Sequence, residues 1–409
     1  MKFPLYFSRK IAFSKDNKNN LSRVIIFIGR LSVALGIIVS LITVSTGFGS
    51  KKAIKERLAD FSGHVTVKST RSNSSYNTSV LDKEGLNVPK LKQLDDVEST
   101  QKYATITGIM RNEHSFAGII FKGVGKDFDS LRFKKFLVAG KTPQITEKGY
   151  NNGVTISEKI AKDLHLKVND SIVTVFAKED QKQIYRKFQI VGIYKTDIKM
   201  IDEQFVIGDI NHVRKILDMN PEDIGGIDVF FKNVNDIDKN FPQVEKLIGY
   251  KNYAEKATEK FPQINDWISI FDVNIALIIS IMLIVVIINI IMVLLILIIE
   301  RTNSIGLLKT LGATNAQIRA TFINYTLIIM VPGLIYGNAI GLGLLLIQKF
   351  FGIIKLNPEN YYVSVVPVDL NPVAILSISA GILFISGLAL IIPSYLISKI
   401  SPVKSIKYS

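Results

Sequence analysis

The chain has 409 residues, 50 Lys plus Arg against 35 Asp plus Glu, and an apolar share of 48%, which is ordinary for soluble domains. It has no cysteine, which excludes disulfide scaffolds, zinc ribbons, thiol nucleophiles and iron–sulfur clusters. The formal charge of +15 divides into +6, +5 and +4 over residues 1–48, 49–266 and 267–409, with no basic stripe interleaved with aromatics, so it is not a nucleic-acid footprint.

The apolar residues are segregated into four runs nearly free of charge, which marks a membrane protein rather than a globular one. A basic arm, 1–24, precedes the first run, Ile25–Phe48, whose single charge, Arg30, lies near one end where its side chain can snorkel to the headgroups. A cleaved signal peptide, with Ser45 and Gly47 near the cut, is the competing reading, but the run exceeds an h-region and three more spans follow. Polar residues 49–266 come next. The second run, Ile268–Ile299 within the span 267–299, has 32 residues interrupted by Asp272 and a few small polar groups. As a helix it is about 48 Å long against a ~30 Å hydrocarbon core, so it should emerge on one side as a stalk. Segment 300–320 leads to a third span, 321–348, whose apolar run is Phe322–Ile347. A loop, 349–371, a fourth span, Pro372–Ile397, and a tail, 398–409, complete the chain.

Basic residues in short flanking segments favour the cytoplasm. The arm carries Lys2, Arg9, Lys10, Lys15, Lys18 and Arg23 against Asp16; segment 300–320 carries Arg301, Lys309 and Arg319 against Glu300; the tail adds Lys399, Lys404 and Lys407; and the loop from Lys349 to Asp369 is balanced. Both termini are therefore expected in the cytoplasm and residues 49–266 outside. That outer segment reads as α+β, with strands at His64–Lys68, Gly118–Val124, Ser171–Phe176, Phe188–Tyr194 and Ile227–Phe231 and helices at Ser157–Leu164, Ile210–Leu217 and Phe241–Ile248. Ser69–Ser79 reads as a loop and Lys178–Gln183 as a hairpin tip.

No catalytic constellation emerges. Gly140-Lys141-Thr142 lacks the earlier glycine of a phosphate loop, where Lys135 stands. His64, His114, His165 and His212 have no metal-ligand spacing, and no Ser sits in a G-x-S-x-G elbow. The informative stretch is Glu300-Arg301-Thr302-Asn303-Ser304-Ile305-Gly306-Leu307-Leu308-Lys309-Thr310-Leu311-Gly312-Ala313-Thr314. Ser304 is expected to cap a short amphipathic helix with Ile305, Leu308 and Leu311 on one face, and Gly312 to end it in a left-handed cap. Thr314 with Gln317 forms a capping-box pattern that restarts a helix. A short amphipathic helix between two membrane helices is a docking surface. On the third span, Gly333, Gly337 and Gly341 recur every four residues, a pattern for close helix packing.

The segment Glu300–Thr321 resembles the coupling segment of the FtsX-like permeases of ABC transporters, and the order of four helices with one large outer domain after the first is similar to that superfamily. Over nearly the whole chain there is further resemblance to the lipoprotein-releasing (Lol) permeases. It is carried by Phe121-Lys122-Gly123-Val124, Val154 to Asp170, Val191-Gly192-Ile193-Tyr194-Lys195-Thr196, Gly226-Ile227-Asp228-Val229, Pro367-Val368-Asp369-Leu370-Asn371-Pro372 and Ser401-Pro402-Val403.

The resemblance implies an inner-membrane protein with four transmembrane α-helices plus a large α+β periplasmic domain of two lobes, a MacB-like periplasmic core. Lobe one would comprise 49–115 and 222–266, and the inserted lobe 116–221. It further implies a machine of two permeases, this chain with a paralogue or a second copy, and two ATPases. That machine takes acylated lipoproteins from the membrane lipid and hands them to a periplasmic carrier. No cofactor is expected on this chain; ATP and Mg belong to the partner ATPase, against which Glu300, Ile305, Leu308, Lys309, Leu311 and Gly312 would rest. The acyl chains need an apolar lateral cavity, for which Val44, Phe48, Ile268, Ile270, Phe271 and Ile275 are the candidates. The tip Lys178–Gln183 is shorter than the carrier-binding hook of one Lol permease, so the chain is closer to the hookless partner or to a homodimeric form. Two alternatives are MacB-like export of another hydrophobic substrate and an FtsX-like scaffold that activates a cell-wall hydrolase, whose usual outer domain is smaller than 218 residues.

Overall fold

The computed structural model describes residues 4–6, 8, 20–72, 76–146, 149–178, 183–233 and 237–399. Lys2, Arg9, Lys10, Lys15, Asp16 and Lys18 of the arm, most of the hairpin tip (179–182) and the tail from 400, with Ser401-Pro402-Val403, lie outside these residues. The chain divides into two compact units, residues 1–50, 269–354 and 366–409 in one and residues 51–268 and 355–365 in the other. The helices that matter below are α1 (Asn20–Ser62), α2 (Glu158–Asp163), α3 (Ile210–Ile216), α4 (Pro262–Glu300), α5 (Thr302–Thr310), α6 (Asn315–Phe351) and α7 (Pro372–Ala389).

Among the described residues, four helices are long and apolar enough to cross a membrane. In the first unit their packing is set by residues without side chains, because in lipid the close approach of backbones replaces hydrophobic burial as the source of helix association. A Cβ at Gly29 or Gly47 of α1 would lie 2.9 Å from Val293 Cγ2 or 2.5 Å from Ile275 Cδ1 of α4, and Gly36 faces Val286 in the same way. One helix number rises as the other falls, so α1 and α4 are antiparallel. On another side of α1, Gly333 and Gly337 of α6 approach the carbonyl oxygens of Arg30 and Ala34 to 2.5 and 2.9 Å from the position of a Cβ, and Gly341 approaches Leu41. Here both numbers rise, and α1 and α6 are parallel. Ser379 of α7 donates to Asn338 Oδ1 of α6 at 3.0 Å, while Gly387 faces Leu327, so α7 is antiparallel to α6. The start of α1 and the end of α7 therefore share one end of the bundle. Val33, Ile37 and Leu41 of α1, Ile290 and Leu294 of α4 and Met330 of α6 lie in its core.

The second unit is built on a ten-stranded mixed sheet: β1 (Val65–Ser69), β2 (Val97–Arg111), β3 (Phe116–Val124), β4 (Leu137–Gly140), β5 (Gly153–Ser157), β6 (Ser171–Ala177), β7 (Gln183–Tyr194), β8 (Phe205–Asp209), β9 (Gly226–Phe231) and β10 (Asn252–Lys256). Its order is β10-β1-β9-β2-β3-β8-β5-β7-β4, with β6 pairing β2 and β7. The pairs β3·β8 and β5·β7 are parallel and the others antiparallel. The long β2–β3 ladder, from Tyr103↔Val124 to Arg111↔Phe116, carries the sheet without a break across residue 116, where one lobe was expected to give way to the other. Helices α2 and α3 are capped by the side chains of Ser157 and Asp209 and bury Ile160, Ile210, Val213 and Ile216 in the core. Residues 355–365 join this unit: Lys355 bridges Val365, and Tyr361 and Tyr362 pack edge-on to Trp267, 6.3 and 6.2 Å between centroids.

The expected strands and helices recur with shifted ends, and Phe241–Ile248 is replaced by a helix at Ile237–Glu245. Strands β2, β4, β5, β8 and β10 were not anticipated. Strands β5 and β8 are buried at every position, so they carry no alternation of apolar and polar residues. The larger difference is in α1, which runs 14 residues beyond Phe48 to Ser62 because Ile54, Leu58 and Phe61 continue a buried i, i+4, i+7 stripe.

Candidate functional site

The segment after α4 forms the predicted short helix, but its two ends differ in how well they match expectation. Ser304 is not its cap: α5 begins at Thr302, almost continuous with α4, with Ile305 N–H already bonded to Arg301 O at 2.9 Å. Its C-terminus is a Schellman motif, in which Ala313 N–H donates to Leu308 O at 2.9 Å, Gly312 N–H donates to Lys309 O at 3.1 Å, and Gly312 has φ +90°. A side chain there would be strained. Thr314 then caps α6, with Gln317 Oε1 accepting the Thr314 N–H at 2.9 Å.

The faces of α5 are not those expected. Ile305 is fully buried in the bundle core, Leu308 is packed against that core, and Lys309 Nζ donates to Ile397 O at 3.0 Å. These residues hold the helix to the bundle. The outward apolar edge is Leu307, absent from the sequence candidates, together with Leu311, exposed by 57% and 75%. Glu300 is half-buried at the end of α4, and Gly312 is exposed. The difference follows from the near-continuity with α4, which sets the rotation of α5 that a helix starting at Ser304 would not have had.

The six cavity candidates also separate. Val44 is buried, and Ile275 is buried against Gly47 in the α1–α4 seam. Neither presents an open wall in this structure. Phe48 and Ile270 are exposed, Phe271 is half-buried, and Ile268 is buried in the outer unit. Gly333, Gly337 and Gly341 are buried on the face of α6 that meets α1.

The outer unit joins residues that sequence spacing left apart. Lys122 of β3 and Asp228 of β9, from two of the motifs quoted above, form a buried ion pair at 2.6 Å. Lys122 also donates to Phe61 O at 3.2 Å, and Asp228 Oδ1 accepts from Thr66 Oγ1 at 3.0 Å. The end of α1 is anchored in the same region. Arg57 pairs with Asp197, Asp60 pairs with Arg132 at 2.9 Å and with Lys135, and Phe61 packs against Phe133, Tyr194 and Phe205. Burial brings His64 down to about 4, with Arg132 adding to the effect, and its Nδ1 accepts the Phe231 N–H at 3.1 Å. Burial raises Asp202 to about 6 against the hydrogen bonds it accepts from Thr196. No group of three or more metal-ligating side chains occurs among the described residues.

Two family models match the chain: a MacB-like periplasmic core domain over residues 30–247 and an FtsX-like permease C-terminal region over 276–402. The chain belongs to the FtsX-like permeases with a MacB-like periplasmic core. This permease is 22% identical to the lipoprotein-releasing system transmembrane protein LolE of Haemophilus influenzae, with 98% of each chain covered. It is 21% identical to LolC of the same organism over the whole of both chains. Among solved structures, the periplasmic region of MacB from Actinobacillus actinomycetemcomitans matches with 15% identity and a TM-score of 0.32, covering 50% of the permease and 92% of that chain. The permease is thus a membrane protein whose apolar helices accompany a periplasmic domain built on a mixed sheet.

Proposed function

We propose that this permease is a subunit of an ABC transporter of the inner membrane that extracts acylated lipoproteins and passes them to a periplasmic carrier. ATP would be hydrolysed, with Mg, on a separate ATPase subunit. The observation that carries this reading is the end-to-end similarity to both Lol relatives, in a chain whose α5 presents Leu307 and Leu311 outward between two membrane helices. In the proposed topology both termini and α5 are cytoplasmic, as the basic flanks favour. The ATPase contacts the exposed edge of α5, whose inward residues, buried Ile305 and half-buried Leu308, transmit the load to the bundle. A second permease, paralogue or identical copy, completes the assembly. The acyl chains lie against Phe48 and Ile270, the exposed members of the cavity set.

The test is depletion of the permease in its native cell followed by separation of inner and outer membranes. Acylated outer-membrane lipoproteins retained in the inner membrane are the expected result. Normal sorting with altered drug susceptibility would instead assign MacB-like export, and normal sorting with a cell-separation defect would assign a hydrolase-activating scaffold.

A further inference from the structure

The outer unit contains a cavity of about 390 Å³ beside the first turn of α4, bordered by Lys68, Tyr103, Lys122, Lys260 and Pro262. Two adjacent glycines let Tyr103 and Thr78 pack close to the backbone there. A Cβ at Gly226 would lie 2.6 Å from Tyr103 Oη, and one at Gly225 would lie 2.5 Å from Thr78 Oγ1. Tyr103 is 4% exposed, yet its hydroxyl has no hydrogen-bond partner among the described residues, and a buried polar group left in this state is strongly disfavoured.

The cations around it differ in the same respect. Lys122 is paired with Asp228, and Lys68 with Glu255. Glu259 accepts the Lys256 N–H at 2.9 Å. Lys260 makes no ion pair or hydrogen bond among the described residues; its Nζ lies 5.5 and 6.0 Å from the ring centroids of Tyr103 and Phe261. Among the described residues, one cation without a hydrogen-bonded counter-ion and one phenol without an acceptor thus face the same space, with Tyr76, Phe205 and Tyr253 as aromatic wall and the carboxylates of Glu255 and Glu259 also at its border.

We propose that this cavity binds a phosphate group, free or carried on a lipid headgroup, with Lys260 supplying the charge and the Tyr103 hydroxyl donating a hydrogen bond. The proton inventory agrees. Burial brings Lys260 down to about 7, opposed by Asp228 and Glu255 and assisted by Lys68 and Lys122. Burial, with Asp228, Glu255 and Tyr253 adding to it, pushes Tyr103 well up, so its hydroxyl keeps its proton as a donor. Tyr76 and Tyr253, also at the cavity, are raised as well. A bound phosphate gives Lys260 its counter-charge and holds it protonated, so binding of a phosphodiester headgroup, which does not itself titrate near neutral pH, takes up a proton and tightens as pH falls through 7.

The experiment titrates the full-length permease in dodecyl maltoside with inorganic phosphate, dihexanoyl phosphatidylglycerol or methyl-capped glucose as an uncharged control, following phosphorus resonances and the heat of binding. Saturable binding by at least one phosphate probe, weakened on the order of tenfold by Lys260→Met and severalfold by Tyr103→Phe, is expected. Preference between the two probes identifies the source of the group. A second measurement needs no variant: phosphate should protect Lys260 of the wild-type protein from acylation by an amine-reactive ester, read by mass spectrometry. Absence of saturable binding for both probes, equal binding by well-folded variants, or unchanged acylation of Lys260 at saturating phosphate would overturn the proposal.

Discussion

Lys122 and Asp228 lie 106 positions apart, and each is nearly inaccessible to water. The two charges stabilise one another only because both are present; removing one leaves the other desolvated without compensation. Asp228→Asn is expected to destabilise the outer unit by about 3–5 kcal/mol, with Lys122→Met/Asp228→Leu recovering much of the loss. Thermal unfolding of the full-length variants in detergent measures both. His64 provides a pH signature. Its folded pKa lies near 4, below the usual 6.5, so the stability it contributes is present above pH 6.5 and is lost as pH falls towards 4. Asp202 acts in the opposite sense, its contribution being full below 3.8 and lost as pH rises through about 6. Comparison with His64→Gln isolates the histidine: between pH 7 and 4 the wild type should lose more stability than the variant, and parallel profiles would assign the acid sensitivity elsewhere. Neither residue was legible as a partner in the sequence, because each acts through contacts made by distant strands.

At the scale of elements, α5 was readable as a helix while its working face was not. Gly312 and the Thr314–Gln317 box act within a few residues of themselves, and local chemistry of that kind survives in the sequence. Which of Ile305, Leu307, Leu308 and Leu311 points outward depends on where α5 begins, and its near-continuity with α4 sets that. The two classes of position have different expected phenotypes. Leu311→Asp and Leu307→Asp should reduce the stimulated ATPase activity of the assembled complex to its basal level at normal abundance. Ile305→Asp should lower the abundance of the permease itself, since it buries a carboxylate in the bundle core. Immunoblotting with ATPase assays on reconstituted complexes separates them, and unaltered stimulation in Leu311→Asp would remove that edge from the docking role. The glycines of α1 belong to this scale too. Gly29, Gly36 and Gly47 are spaced by seven and eleven residues rather than four, so they escaped the small-residue pattern that exposed the stripe on α6.

For the whole molecule, the reading as a lipoprotein-releasing permease requires an apolar surface that acyl chains can reach. Phe48 and Ile270 are exposed, whereas Val44 and Ile275 are buried. Phe48→Asp is accordingly expected to leave membrane abundance unchanged while blocking release of labelled lipoprotein from proteoliposomes containing the complete transporter and carrier. Full release with that variant would remove the α1 surface from the substrate path. Val44→Asp should instead reduce the amount of folded protein.

Four spans, their alternation, the capped helix after α4 and the half-exposed strands β6 and β7 follow from composition, periodicity and local capping, all of which act over a few residues. The extension of α1, strands β5 and β8, the outward edge of α5, the buried ion pair and the cavity at Tyr103 and Lys260 were decided by the tertiary structure. Their partners are brought together from positions tens to more than a hundred residues apart, and no local period in a chain records which distant side chain will remove its water.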